Sequence, residues 1–114
     1  MHGRSEIVDN FKIIYKILST IEQSMDYEEF DPNAIMPESL GVSRARWESI
    51  VTALVQDGYI TGVELLPIMG KRMPQVRLIA PRLTLAGMEY LADNTMMKKA
   101  YRLAKGIKDI IPGA

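Results

Sequence analysis

Residues 55–65 read VQDGYITGVEL, and the join inside this stretch decides the fold. Upstream, SRARWESIVTALVQDG (43–58) carries Trp47, Ile50, Val51, Leu54 and Val55 on one apolar stripe at helical spacing. Ser43 is the natural N-cap of that helix. Gly58 stands where a helix needs a left-handed residue in order to turn out. Downstream, Tyr59-Ile60-Thr61 and Val63-Glu64-Leu65 are strand-type residues interrupted by Gly62. A helix that stops and feeds a strand at once is the joint between the third helix and the wing of a winged helix-turn-helix.

The flanking segments fit that frame. FKIIYKILSTIEQSM (11–25) repeats Phe11, Ile14, Leu18, Ile21 and Met25 at helical spacing, widened by Tyr15 and Ile17, with Asp9 as the expected N-cap. Residues 1–8 are expected to be a flexible N-terminal segment. PESLG (37–41) reads as a short second helix: Pro37 suits its first turn, Glu38 its N-terminal dipole, and Gly41 ends it. LGVS (40–43) is then the turn between helices two and three.

After Gly58, two strands are expected at about 59–66 and 75–80, around a tip IMGKRM bracketed by Pro67 and Pro74. Thr84 caps a further helix, in which Leu85, Met88 and Leu91 line one side. A last helix is expected over 95–111, with a narrow seam of Met97, Ala100, Ala104, Ile107 and Ile111 beside Lys98, Lys99, Arg102, Lys105 and Lys108. Met25, Met36, Met88, Met96 and Met97 read as core filler. The expected fold class is mainly α with a small antiparallel β-ribbon (α+β). The whole chain, 1–114, forms one winged-helix domain with an added C-terminal helix.

The bulk numbers agree. At 114 residues, with 47% hydrophobic and 25% charged residues, the chain has room for one modest core. It has no cysteine, no apolar run long enough for a membrane span and no apolar leader, so a cytoplasmic protein is expected. The zero net charge is unevenly spread. Residues 1–40 hold three basic and eight acidic groups (net −5), 41–94 six and five (net +1), and 95–114 five and one (net +4). A neutral chain polarised in this way can offer one basic face to a polyanion, or dock head to tail with a copy of itself.

Several pieces together resemble the YjcQ-like family, small winged-helix proteins of bacteria and their phages. They are Leu40-Gly41-Val42, Gly58-Tyr59-Ile60 with Gly62-Val63, Leu83-Thr84 with Gly87, Tyr90-Leu91, and the tail KAYRLAKGIKDII (99–111). The resemblance covers most of residues 11–111 and implies a winged-helix fold, with no catalytic or binding residue to carry over. The chain departs from the family pattern in its longer wing, LPIMGKRMPQ, and in its acidic stretch at 26–31.

Enzymatic function is not expected. The one histidine is His2, beside the N-terminus, and without cysteine or a second histidine neither zinc nor iron has a recognisable site. Asp26, Glu28, Glu29 and Asp31 lack the glycine and glutamate spacing of a calcium loop and read as a solvated acidic segment. Gly70-Lys71 is not a phosphate loop, because Leu65 and Arg72 stand at its other defining positions. No cofactor and no metal are expected.

Double-stranded DNA is the first candidate partner. On a helical wheel, the side of helix three opposite Trp47 and Leu54 presents Ala45, Ser49, Thr52, Ala53 and Gln56, flanked by Arg44 and Arg46. Ser, Thr and Gln can reach base edges, and cations can hold phosphate. The DNA-binding candidates are Arg44, Arg46, Ser49, Thr52 and Gln56, with Lys71 and Arg72 on the wing, as in a phage or prophage regulator.

The alternative is a protein-interaction module that binds no nucleic acid. Ile68, Met69 and Met73 place apolar surface around the wing tip, where a partner could cover it, unless they fold back on the core. The C-terminal seam either packs on helix one of the same chain or pairs two copies as a homodimer.

Overall fold

The computed structural model describes residues 3–93, with side chains from residue 9 onward. In chain order they form α1 (Gly3–Gln23), two 3-10 turns (Ser24–Asp26 and Pro32–Ile35), α2 (Pro37–Leu40), α3 (Arg44–Gln56), β1 (Ile60–Leu66), β2 (Gln75–Leu83) and α4 (Leu85–Asp93). The expected last helix, residues 95–111 with their seam, lies outside the described residues.

The core is one cluster. Ile17, Leu18 and Ile21 of α1 meet Ile35, then Trp47, Ile50, Val51 and Leu54 of α3, then Ile60, Val76 and Leu83 of the ribbon. Trp47 is fully buried, and its Nε1 donates to the Ile35 carbonyl at 2.7 Å, so the largest side chain of the core is also satisfied as a donor. Met36 and Met88 pack against this cluster as expected. Met25 does not: it is 59% exposed, because α1 has already given way to a 3-10 turn at Ser24. Phe11 and Leu85 are exposed as well, so the apolar stripes of α1 and α4 are narrower than their spacing implies. The helix starts at Gly3, which places Asp9 within α1 and not at its cap.

α2, the turn and α3 form the helix-turn-helix. Gly41, at φ 70°, closes α2, and Val42 N–H returns to the Pro37 carbonyl at 3.2 Å. Ser43 then caps α3 by accepting from Arg46 N–H at 3.1 Å.

At its other end α3 finishes in a Schellman motif. Tyr59 N–H bonds the Leu54 carbonyl at 2.9 Å and Gly58 N–H the Val55 carbonyl at 3.1 Å. Gly58 has φ 81°, where a side chain would strain the backbone. The joint read from VQDGYITGVEL is therefore a complete helix stop whose next residue but one opens β1.

β1 and β2 pair antiparallel: Ile60 faces Leu83 and Thr61 faces Arg82, then Val63 faces Leu78 and Leu66 faces Gln75. Between Thr61 and Val63 the register jumps, so that Gly62 alone stands opposite Ile79, Ala80 and Pro81. A side chain on Gly62 would lie 1.9 Å from the Ala80 carbonyl oxygen, so only glycine fits there. The bulge also explains why β2 runs to Leu83 and not only to about residue 80. Pro81, which lacks a ladder donor, is accommodated inside the irregularity and pairing resumes beyond it.

α4 is fastened to the α3–β1 joint. Thr84 N–H donates to the Tyr59 carbonyl at 3.1 Å, and Thr84 Oγ1 donates to the Gly58 carbonyl while accepting from Gly87 N–H. Gly87 is buried against the Tyr59 carbonyl, which lies where a Cβ would go. The Tyr59 and Tyr90 rings complete the junction, tilted at 57° with centroids 5.4 Å apart.

Candidate nucleic-acid interface

The outward surface of α3 begins at its first turn. Arg44, Ala45 and Arg46 are all exposed, followed by Ser49, Ala53 and Gln56. No acidic residue occupies this first turn, so the positive end of the helix dipole and two guanidinium groups share one region.

Each arginine has an intrachain partner. Arg44 lies with its Nε 3.6 Å from Glu48 Oε2 and its guanidinium 5.4 Å from the Trp47 ring centroid. Arg46 Nη1 donates to Asn10 Oδ1 of α1 at 2.8 Å. Both contacts hold the side chains over the first turn, where the Arg44 side chain is half exposed and that of Glu48 largely covered.

The wing comes round to the same place. A groove of about 430 Å³ is lined by Arg44, Ala45 and Glu48 from α3 and by Ile68, Lys71, Met73 and Gln75 from the wing. On the other side of Ala45, a shallower hollow of about 380 Å³ is lined by Asn10, Ser43, Ala45, Arg46, Ser49 and Ile50. One surface thus passes from the wing, over the first turn of α3, to α1. Arg44, Arg46, Ser49 and Lys71 lie along it, and Arg72 is exposed next to Lys71 at the tip. Gln56, at the far end of α3, is exposed but lines neither hollow.

Thr52 is a correction. It is only 3% exposed, and its Oγ1 is buried without a partner, so it lies beneath the surface and not on the outward face. α3 packs against both strands of the ribbon, and the wheel position opposite Trp47 and Leu54 overstates how much of its circumference is free. Asn10 and Gln75 carry no signal in the sequence that would place them here. Asn10 accepts from Arg46, and Gln75 lines the groove together with Arg44, in each case across more than twenty-five residues of chain, which no local pattern reveals.

Of the apolar wing residues, Ile68 and Met73 turn toward α3 and line the groove, whereas Met69 is 100% exposed at the tip. Arg77, a further cation on the ribbon, lies 3.6 Å from Glu64. Among the described residues no group of His, Cys, Asp or Glu is arranged to hold a metal ion, and no helix is long and apolar enough to cross a membrane.

A helix-turn-helix whose third helix runs into a two-stranded antiparallel wing, followed by a further helix, defines a winged-helix protein of the α+β class. The chain belongs to the YjcQ family: the family model described as YjcQ protein matches residues 15–110. It is similar to a protein of Bacillus subtilis (strain 168) that carries the name uncharacterized protein YjcQ. The two are 33% identical over 101 residues, which cover 88% of this chain and 95% of the relative. No solved structure matches.

Proposed function

We propose that the protein is a non-enzymatic, cytoplasmic DNA-binding protein, a regulator of the phage or prophage type, that grips duplex DNA with α3 and the wing together. The observation that carries this reading is the shared surface on which Lys71 of the wing and Arg44 of α3 line one groove, with Arg46 and Ser49 continuing it. Arg44, Arg46, Lys71 and Arg72 would neutralise phosphates, and Ser49 and Gln56 are the polar side chains of α3 left facing outward to meet base edges. The Arg44–Glu48 pair, 3.6 Å apart, can open and exchange its carboxylate for a phosphate. A titration of random-sequence duplex at two salt concentrations tests the reading. Binding should weaken steeply with salt, and wild-type binding that is absent at low salt overturns it.

One observation favours a second reading, a protein-interaction module. Met69 is wholly exposed at the wing tip, a position that suits burial against a protein partner or a second copy. Self-association measured by light scattering, together with no duplex binding, would select this reading over the first.

A further inference from the structure

Away from the α3–wing surface, a second apolar groove runs along the end of α1. One part, about 570 Å³, is lined by Met25, Tyr27, Ile79, Pro81 and Met88 among others. The other, about 460 Å³, shares Met25 and Met88 and continues to Leu91 and Ala92 of α4. Met25, Tyr27 and Ile79, three of the seven large apolar side chains exposed among the described residues, meet at this groove.

The rim is acidic. Glu22 and Glu28 line the groove, and Asp26, Glu29 and Asp31 are exposed on the adjoining loop. Among the described residues none of these five carboxylates forms an ion pair. A fitting occupant is therefore an amphipathic segment with a narrow apolar seam flanked by cations.

The chain itself contains one. Residues 96–111 carry Met97, Ala100, Ala104, Ile107 and Ile111 at seam spacing, with Lys98, Lys99, Arg102, Lys105 and Lys108 beside them. That segment starts three residues beyond Asp93, the last described residue, and Leu91 and Ala92 of α4 are already part of the groove wall. The charge match is the one visible in the sequence: net −5 over 1–40 against net +4 over 95–114. We propose that this groove is the seat of residues 96–111 of the same chain, the seam facing Met25, Met88 and Ile79 and the lysines facing the acidic rim. Tethering so close to the groove gives the segment a high effective concentration, which favours the same chain over a second copy. The inference is independent of the DNA reading, because the groove shares no residue with the α3–wing surface.

The absence of native cysteine makes the test direct. In the full chain, a nitroxide is attached through Glu22→Cys, an exposed rim position, and the methyl signals of Ile107 and Ile111 are followed by NMR. They should be strongly broadened at every protein concentration, and Ile107→Lys should restore the remaining Ile111 signal while the buried Trp47 keeps its folded emission. Signals as sharp as those with the reduced label overturn the proposal. So does broadening seen only between separately labelled chains, which would make a second copy the occupant. Broadening that survives Ile107→Lys overturns the assignment of the seam as the docking face.

Discussion

Thr84 Oγ1 donates a hydrogen bond to the carbonyl of Gly58, so the residue that starts α4 is tied to the residue that ends α3. The same hydroxyl accepts from Gly87 N–H, and Thr84 N–H bonds Tyr59. One threonine thus closes the N-terminus of α4 and anchors it on the turn that launches the wing. Thr84→Ala removes both side-chain bonds and should cost about 1–2 kcal/mol of stability, the upper part of the range for removal of an N-cap. Urea denaturation followed by Trp47 fluorescence measures it, and a cost near zero would mean that the junction is held by backbone contacts alone.

The two glycines of the joint should not respond alike. At Gly58 an added Cβ meets open space, so Gly58→Ala carries only the left-handed backbone penalty of about 1–2 kcal/mol. At Gly62 the same penalty combines with a Cβ 1.9 Å from the Ala80 carbonyl oxygen. Gly62→Ala should therefore be the more destabilising of the two in the same denaturation assay, and should disturb the ribbon amide signals around Ala80 most.

Thr52→Val should leave stability unchanged or raise it by up to about 1–2 kcal/mol, because the buried hydroxyl has no partner to lose. The same variant should bind duplex DNA like the wild type. A clear drop in affinity at unchanged stability would show that Thr52 becomes accessible on binding.

For the proposed DNA interface, Arg44→Ala with Arg46→Ala should lower affinity and reduce the slope of log K against log salt by about 0.9 for each phosphate that is no longer neutralised. The double variant Lys71→Ala with Arg72→Ala should act in the same direction. Titrations at several salt concentrations read both. Slopes unchanged in both variants would remove α3 and the wing from the interface.

Much of this architecture is legible along the chain because its signals are local. Ser43 and Thr84 cap the helices that follow them, and Gly41 and Gly58 end the helices before them, because a cap satisfies backbone groups only a few residues away. The apolar stripe of α3 likewise marks its buried side correctly, with Trp47, Ile50, Val51 and Leu54 all in the core. Of the surface candidates, Arg44, Arg46, Ser49, Gln56, Lys71 and Arg72 are exposed as the wheel and the wing pattern imply.

Element order, helix ends and the side of α3 that packs inward were determined by the sequence itself, since each depends on neighbours within a turn or two. Tertiary structure alone decided what depends on distant residues meeting. It buried Thr52 on a wheel position that looks free, and turned Arg46 toward Asn10. It also let β2 continue past Pro81 by setting Gly62 against three residues of its partner strand. Periodicity registers the one side of a helix that packs against a single layer. It carries no information about a second layer arriving from elsewhere in the chain, and that second layer determines which side chains of α3 remain on the surface.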